Sequence, residues 1–158
     1  MNQLKESPNV RKVDIKEIQD SIIDEFSILA GDRESTIFYI MELGQKLPVM
    51  ESTAMVDDNL IKGCQSKVWL TSSSEGTKVR YKADSNTEIT KGLISLLIRV
   101  LDGQEADDII NADLYFIEKI GMQQVIGSQR SNGLASMIKQ MKLYALAFRQ
   151  IEAKTREM

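Results

Sequence analysis

The sequence predicts an α+β fold in which a small antiparallel sheet of about three strands is covered on one side by helices. Three observations predict it. Apolar residues recur at helical spacing towards both ends of the chain, two alternating strand-like runs lie together in the middle, and turn-forming residues separate these segments.

Residues 1–13 read as a flexible N-terminal tail and residues 14–158 as a single domain. Ile15, Ile18, Ile22, Phe26 and Leu29 form the core-facing stripe of a first helix that runs up to Gly31. A second helix is expected over residues 34–43, with Gly44 after its end and Leu47-Pro48 fixing an extended exit. Residues 49–59 have no period and read as a loop. Strands follow over residues 65–71 and 77–83, joined by a hairpin loop at residues 72–76. Alternation directs Val68, Leu70, Val79, Tyr81 and Ala83 at the helices, and Lys67, Trp69, Lys78, Arg80 and Lys82 at the opposite face. Two strands alone are marginal, so a third is expected around residues 59–62.

Ser85-Asn86-Thr87-Glu88 has the spacing of a capping box and opens a helix whose apolar side carries Ile89, Leu93, Leu96, Leu97 and Val100. Gly92 inside that helix is unfavourable unless a neighbouring backbone packs closely against it. Short helices are expected near residues 106–110 and 114–120, the latter ended by Gly121. Ser131-Asn132 then cap a long final helix with Leu134, Met137, Ile138, Met141, Ala145 and Phe148 on one stripe.

Composition narrows the function. At 158 residues, 42% hydrophobic and 27% charged, the chain has the make-up of one ordinary soluble domain. A net charge of −3 leaves no basic excess for nucleic acid or an acidic membrane. The polar start of the chain does not resemble a secretory signal, and its longest apolar stretch, residues 93–101, is interrupted by Ser95 and Arg99. A cytoplasmic location is therefore expected. Histidine is absent, which excludes Cys-His and Ser-His-Asp nucleophilic sites and histidine-ligated zinc or haem.

Cys64 is the only cysteine, so it closes no intramolecular disulfide and completes no cysteine-rich zinc cage. It is either a small buried hydrophobe or a single reactive sulfur. Gly63 permits unusual backbone angles and close approach, and Lys62 and Lys67 can lower the thiol pKa. A resting position against apolar side chains would raise it instead. Cys64 lies an even number of residues before Val68 and Leu70, so a regular strand would aim the thiol inward, against the helix of residues 89–101 or the final helix. Gly63 is then the hinge through which a partner selects an outward conformer.

Four separated motifs carry a resemblance. Lys62-Gly63-Cys64-Gln65-Ser66-Lys67-Val68-Trp69, Ala83-Asp84-Ser85, Lys91-Gly92-Leu93 and Arg130-Ser131-Asn132-Gly133-Leu134, in this order, resemble the SufE family of cysteine desulfuration proteins, and Leu43-Gly44-Gln45-Lys46-Leu47-Pro48 fits the same pattern. The resemblance spans roughly residues 15–150 and implies a fold like that of iron-sulfur scaffold proteins. It also implies that Cys64 accepts persulfide sulfur from a SufS-type cysteine desulfurase, stimulates that enzyme and passes the sulfur to a SufB-containing scaffold complex. The pyridoxal phosphate of the reaction belongs to the desulfurase, so no cofactor and no metal are expected here. Gly63, Gln65, Asp84 and Arg130 match positions that support the cysteine loop or the partner surface. Asn86 departs from a common aspartate, and Gly127 from a serine or threonine three residues before the arginine. Monomer and homodimer both remain open, and a thiol redox sensor or a non-catalytic adaptor is the alternative function.

Overall fold

The computed structural model describes residues 13–157, so the expected N-terminal tail lies, apart from Val13, outside the described residues. Helix α1, Ile15–Ser27, starts at Asp14, whose carboxylate accepts from Glu17 N while Glu17 accepts in return from Asp14 N. Its inner face buries Ile22 and Phe26. Gln19 is also buried, and its side-chain amide donates to Asp113 O and accepts from Phe116 N, which pins α1 to residues 113–116. Helix α2, Arg33–Gln45, is capped by Asp32 accepting from Ser35 N.

Gly44 does not follow α2, as the sequence suggested, but lies inside it. A Cβ at Gly44 would come 2.6 Å from Gly92 N, and one at Gly92 would come 2.0 Å from Ile40 O. The two glycines are where α2 crosses the helix that carries Gly92, backbone to backbone, so Gly44 serves contact and does not stop the helix. The loop expected over residues 49–59 contains two single 3₁₀ turns, Ser52–Ala54 and Asp57–Asn59.

Strands β1, Val68–Glu75, and β2, Lys78–Ser85, pair antiparallel along their whole length, from Val68 opposite Ser85 to Glu75 opposite Lys78. Residues 72–75, assigned to a loop by sequence, are therefore strand. The turn is only Gly76-Thr77, with a positive φ at Gly76 alone, the pattern of a type II′ turn. Serine runs read as loop by composition, but the two-residue turn and the facing β2 strand supply their backbone partners.

The third strand is not at residues 59–62. It is β3, Gln104–Glu105, which adds to β2 and gives the order β1-β2-β3. Residues 60–61 contribute a single antiparallel bridge, Leu60 to Trp69, and a hydrogen bond from Ile61 N to Val68 O on the free edge of β1. Val68, Leu70, Val79, Tyr81 and Ala83 are buried beneath the helices, and Lys67, Lys78, Arg80 and Lys82 are exposed.

Helix α3, Glu88–Leu101, buries Leu93, Ile94, Leu96, Leu97, Val100 and Leu101 against the sheet and the other helices. Its N-cap is Thr87, not Ser85; Ser85 ends β2 and gives its hydroxyl to Lys67 O, so the capping box does not form. Helices α4, Ala106–Ile110, and α5, Phe116–Lys119, lie within the expected segments. The last element, α6, Met122–Glu157, breaks at Gly127, where φ is 85° and ψ 170°. Ser131 and Asn132 are consequently inside the long second part of α6 and do not cap it. The glycine that departs from the family pattern makes the break. Among the described residues no helix is long and apolar enough to cross a membrane.

Candidate functional site

Cys64 lies in a loop of residues 62–67 whose stem is closed by the Ile61–Val68 hydrogen bond and the Leu60–Trp69 bridge. The residues expected to form a third strand are thus the rising limb of this loop. Its falling limb is tied down strongly. Thr87 Oγ1 donates to Ser66 Oγ at 3.0 Å and Thr90 Oγ1 at 3.3 Å, while Lys67 N donates to Asn86 Oδ1 at 3.0 Å. Lys67 O accepts from both Ser85 Oγ at 2.8 Å and Asn86 N at 3.2 Å. Asn86 keeps the acceptor that an aspartate would offer and lacks only its charge. The departure from the family pattern therefore leaves the tether intact.

Among the described residues the rising limb has no such tether besides the contact of the thiol with Gly133 O. Gly63 has φ of +95° and packs on the middle of α6, where a Cβ would lie 2.4 Å from Ser136 Oγ. That conformation turns the next residue inwards. The Cys64 thiol donates to Gly133 O at 3.5 Å and is half-buried. Gly133, itself buried, leaves the room: a Cβ there would stand 3.5 Å from the sulfur. The sheltered resting position is reached through a glycine turn and not by strand alternation, since β1 begins only at Val68.

Beside the thiol is a cavity of about 110 Å³, lined by residues of the cysteine loop, the start of α3 and α6 on the far side of Gly127. Ile89, Leu93 and Met137 form its apolar wall, and Gln65, Ser66, Thr87, Thr90, Gln129 and Arg130 its polar rim. One water needs about 10–15 Å³ of such space, so there is room for an additional sulfur atom and some solvent. Burial pushes the Cys64 thiol above its ordinary value. Lys62 and Lys67, expected to lower it, are exposed and do not offset the burial.

The other sequence-selected residues divide. Gln65 and Arg130 line the cavity with Cys64. Arg130 is exposed, and its guanidinium donates to Ile126 O at 3.4 Å, across the break at Gly127. Asp84 is buried but does not line the cavity; its Oδ1 lies 3.3 Å from Lys91 Nζ and accepts from Ser85 N at 2.7 Å, fastening the end of β2 to α3. Sequence reasoning did not assign Ser66, Thr87, Thr90, Gln129 or Met137 to the site. Their one available signal was Gly133, a buried helical glycine which, like Gly92, marks a close approach. Among the described residues no group of three or more acidic, histidine or cysteine side chains could hold a metal ion.

Comparison with known proteins adds a family. The SufE model, described as an Fe-S metabolism associated domain, matches residues 20–145. The chain is 35% identical over 128 residues to an uncharacterized SufE-like protein of Rhizobium meliloti (strain 1021), covering 78% of this chain and 91% of that one. A SufE-like protein of Rhizobium etli, also uncharacterized, is 35% identical over 78% of this chain and 86% of its own. Another from Synechocystis sp. is 36% identical over 66% of each. Among solved structures, the solution structure of a hypothetical protein from Thermus thermophilus superposes with a TM-score of 0.69 at 17% identity, over 84% of this chain and 96% of that one. At that identity the likeness shows the fold.

Proposed function

This chain belongs to the SufE family, whose domain is associated with Fe-S metabolism, and we propose that it is a sulfur-transfer protein with Cys64 as the acceptor. The observation that carries the reading is the placement of the only thiol of the chain beside a cavity with space for one more sulfur. The donor is the persulfide of a SufS-type cysteine desulfurase, and the receiver a SufB-containing scaffold complex. The carbon–sulfur bond is broken by the pyridoxal phosphate of the desulfurase, so this chain needs no cofactor of its own. A persulfide carrier of this kind works in a reducing compartment such as the cytoplasm.

The Cys64 thiolate attacks the outer sulfur of the donor persulfide. A sulfur–sulfur bond forms at Cys64, the bond to the donor cysteine breaks, and the electron pair leaves on the donor thiolate, which takes up a proton. No external oxidant or reductant is consumed, and no histidine is needed. Burial disfavours the thiolate in the resting loop, so transfer requires residues 62–65 to swing outward on docking while Ser66 and Lys67 stay tethered. Return of the loop then shelters the persulfide from reductants.

The test is mass spectrometry after incubation with a SufS-type desulfurase and cysteine. A 32 Da adduct (roughly the mass of one sulfur) on Cys64, with stimulated sulfide release that Cys64→Ser abolishes without loss of folding, is expected. Stimulation that survives Cys64→Ser sinks the acceptor role. Oxidation of Cys64 by peroxide without any sulfur adduct selects a redox sensor instead.

A further inference from the structure

Two threonine hydroxyls converge on one serine. Thr87 Oγ1 and Thr90 Oγ1, one helical turn apart at the start of α3, both donate to Ser66 Oγ, at 3.0 and 3.3 Å. A hydroxyl oxygen has two lone pairs and one proton. Either hydroxyl of such a pair can donate; when both threonines do, the lone pairs of Ser66 are occupied and its own proton is free to point away from them. In that arrangement no other protein atom among the described residues accepts it, and Ser66 lines the cavity beside Cys64. Among the described residues the lining of this cavity carries one cation, Arg130, and no carboxylate, so Cys64 and Arg130 are its only titratable groups there. A donor and a cation facing an empty space without acidic groups fit a small anion.

We propose that Ser66 is a sulfur-binding residue: its hydroxyl, oriented by Thr87 and Thr90, donates a hydrogen bond to the terminal sulfur anion of a Cys64 persulfide. The inference rests on the acceptor reading and says how that site tells its loaded from its unloaded form. A neutral thiol donates to Gly133 O and has no use for the Ser66 proton. The persulfide places an anionic sulfur one bond beyond Sγ, beside the cavity that Ser66 also lines. No bond to Ser66 forms or breaks. The loaded loop is thereby held closed until a receiving partner displaces the hydrogen bond, whereas the unloaded loop is free to open towards a donor.

The experiment loads Cys64 chemically, with an inorganic polysulfide, and follows the near-ultraviolet absorbance of the persulfide anion against pH, with no desulfurase present. Ser66→Ala is expected to raise the persulfide pKa by about one unit, the effect of losing a hydrogen bond to a charged acceptor. Alkylation of unloaded Cys64 reports how far loss of the tether to Thr87 and Thr90 loosens the loop, separately from the persulfide titration. Ser66→Thr, which keeps the hydroxyl, is expected to restore the wild-type titration, and Thr87→Val with Thr90→Val to shift it part of the way. An unchanged persulfide pKa in a folded Ser66→Ala overturns the proposal. So does a variant whose unloaded thiol is exposed while its loaded pKa does not move, because that is the result of a purely structural tether. Since loading is chemical, these outcomes are independent of whether a desulfurase transfers sulfur to Cys64.

Discussion

Gly63→Ala tests what keeps the cysteine loop closed. At φ of +95° a Cβ costs about 1–2 kcal/mol from the backbone alone. The added carbon also lies 2.4 Å from Ser136 Oγ and 3.3 Å from Ser136 Cβ. Moving the serine off its rotamer costs about 0.5–1.5 kcal/mol, and more if the side chain cannot turn. The sum, about 1.5–3.5 kcal/mol, falls on the closed position of residues 62–65 and is relieved when they swing out, because the Ile61–Val68 stem and the Ser66 and Lys67 tethers lie on either side of the strain. At a factor of ten per 1.4 kcal/mol, the open population rises roughly 10- to 300-fold. Iodoacetamide labelling of Cys64, read by intact mass at near-neutral pH, should accelerate by that factor, levelling off once the loop is mostly open. While the closed loop predominates the same strain is lost from global stability, so the melting temperature should fall by about 2–4 °C per kcal/mol of it. In the Gly63→Ala, Ser136→Ala double variant the clash with the hydroxyl is gone and the backbone strain remains, so labelling should slow again about two- to tenfold. A folded Gly63→Ala that labels at the wild-type rate would refute the argument that this glycine closes the loop.

Three further outcomes are expected. Arg130→Ala should change the melting temperature little, because the guanidinium is exposed and makes one long hydrogen bond to Ile126 O; desulfurase-dependent turnover should fall about tenfold, as for a lost charge at a docking surface, and equal losses of both would assign Arg130 a structural role. Burial raises the Cys64 thiol above its unfolded value, so its contribution to stability is fully present below about pH 8.5 and is lost as pH rises through the higher folded value. The difference in urea midpoint between wild type and Cys64→Ser should therefore be flat to about pH 8 and shift against wild type above it; Tyr81, raised by burial first and then by Asp102, stays neutral throughout that window. Gly92→Ala should destabilise by about 3 kcal/mol or more, roughly 10 °C in melting temperature, because its Cβ would meet Ile40 O at 2.0 Å and both α2 and α3 must part to admit it.

Periodicity and alternation by themselves determined the helices, the two long strands and the buried face of the sheet, because each records which side of a local element must leave water. Motif order determined the family, and the count of one cysteine and no histidine determined which nucleophilic chemistry remains. Tertiary structure decided what local sequence encodes ambiguously. Gly44 and Gly127 have the same composition signal, yet one is the crossing point of two helices and the other the break in α6, and only the neighbouring backbone separates the two cases. Residues 59–62 carry strand propensity, but their hydrogen bonds close a loop; the third strand is the two-residue β3, too short to show a period. The environment of the thiol was likewise decided from a distance: Gly133, Met137 and Arg130 reach it from α6, and Thr87 and Thr90 from the start of α3. No window of sequence around Cys64 contains them. Burial by these distant residues outweighs the charge of Lys62 and Lys67, which stand next to the cysteine in sequence but remain in solvent, where water screens them.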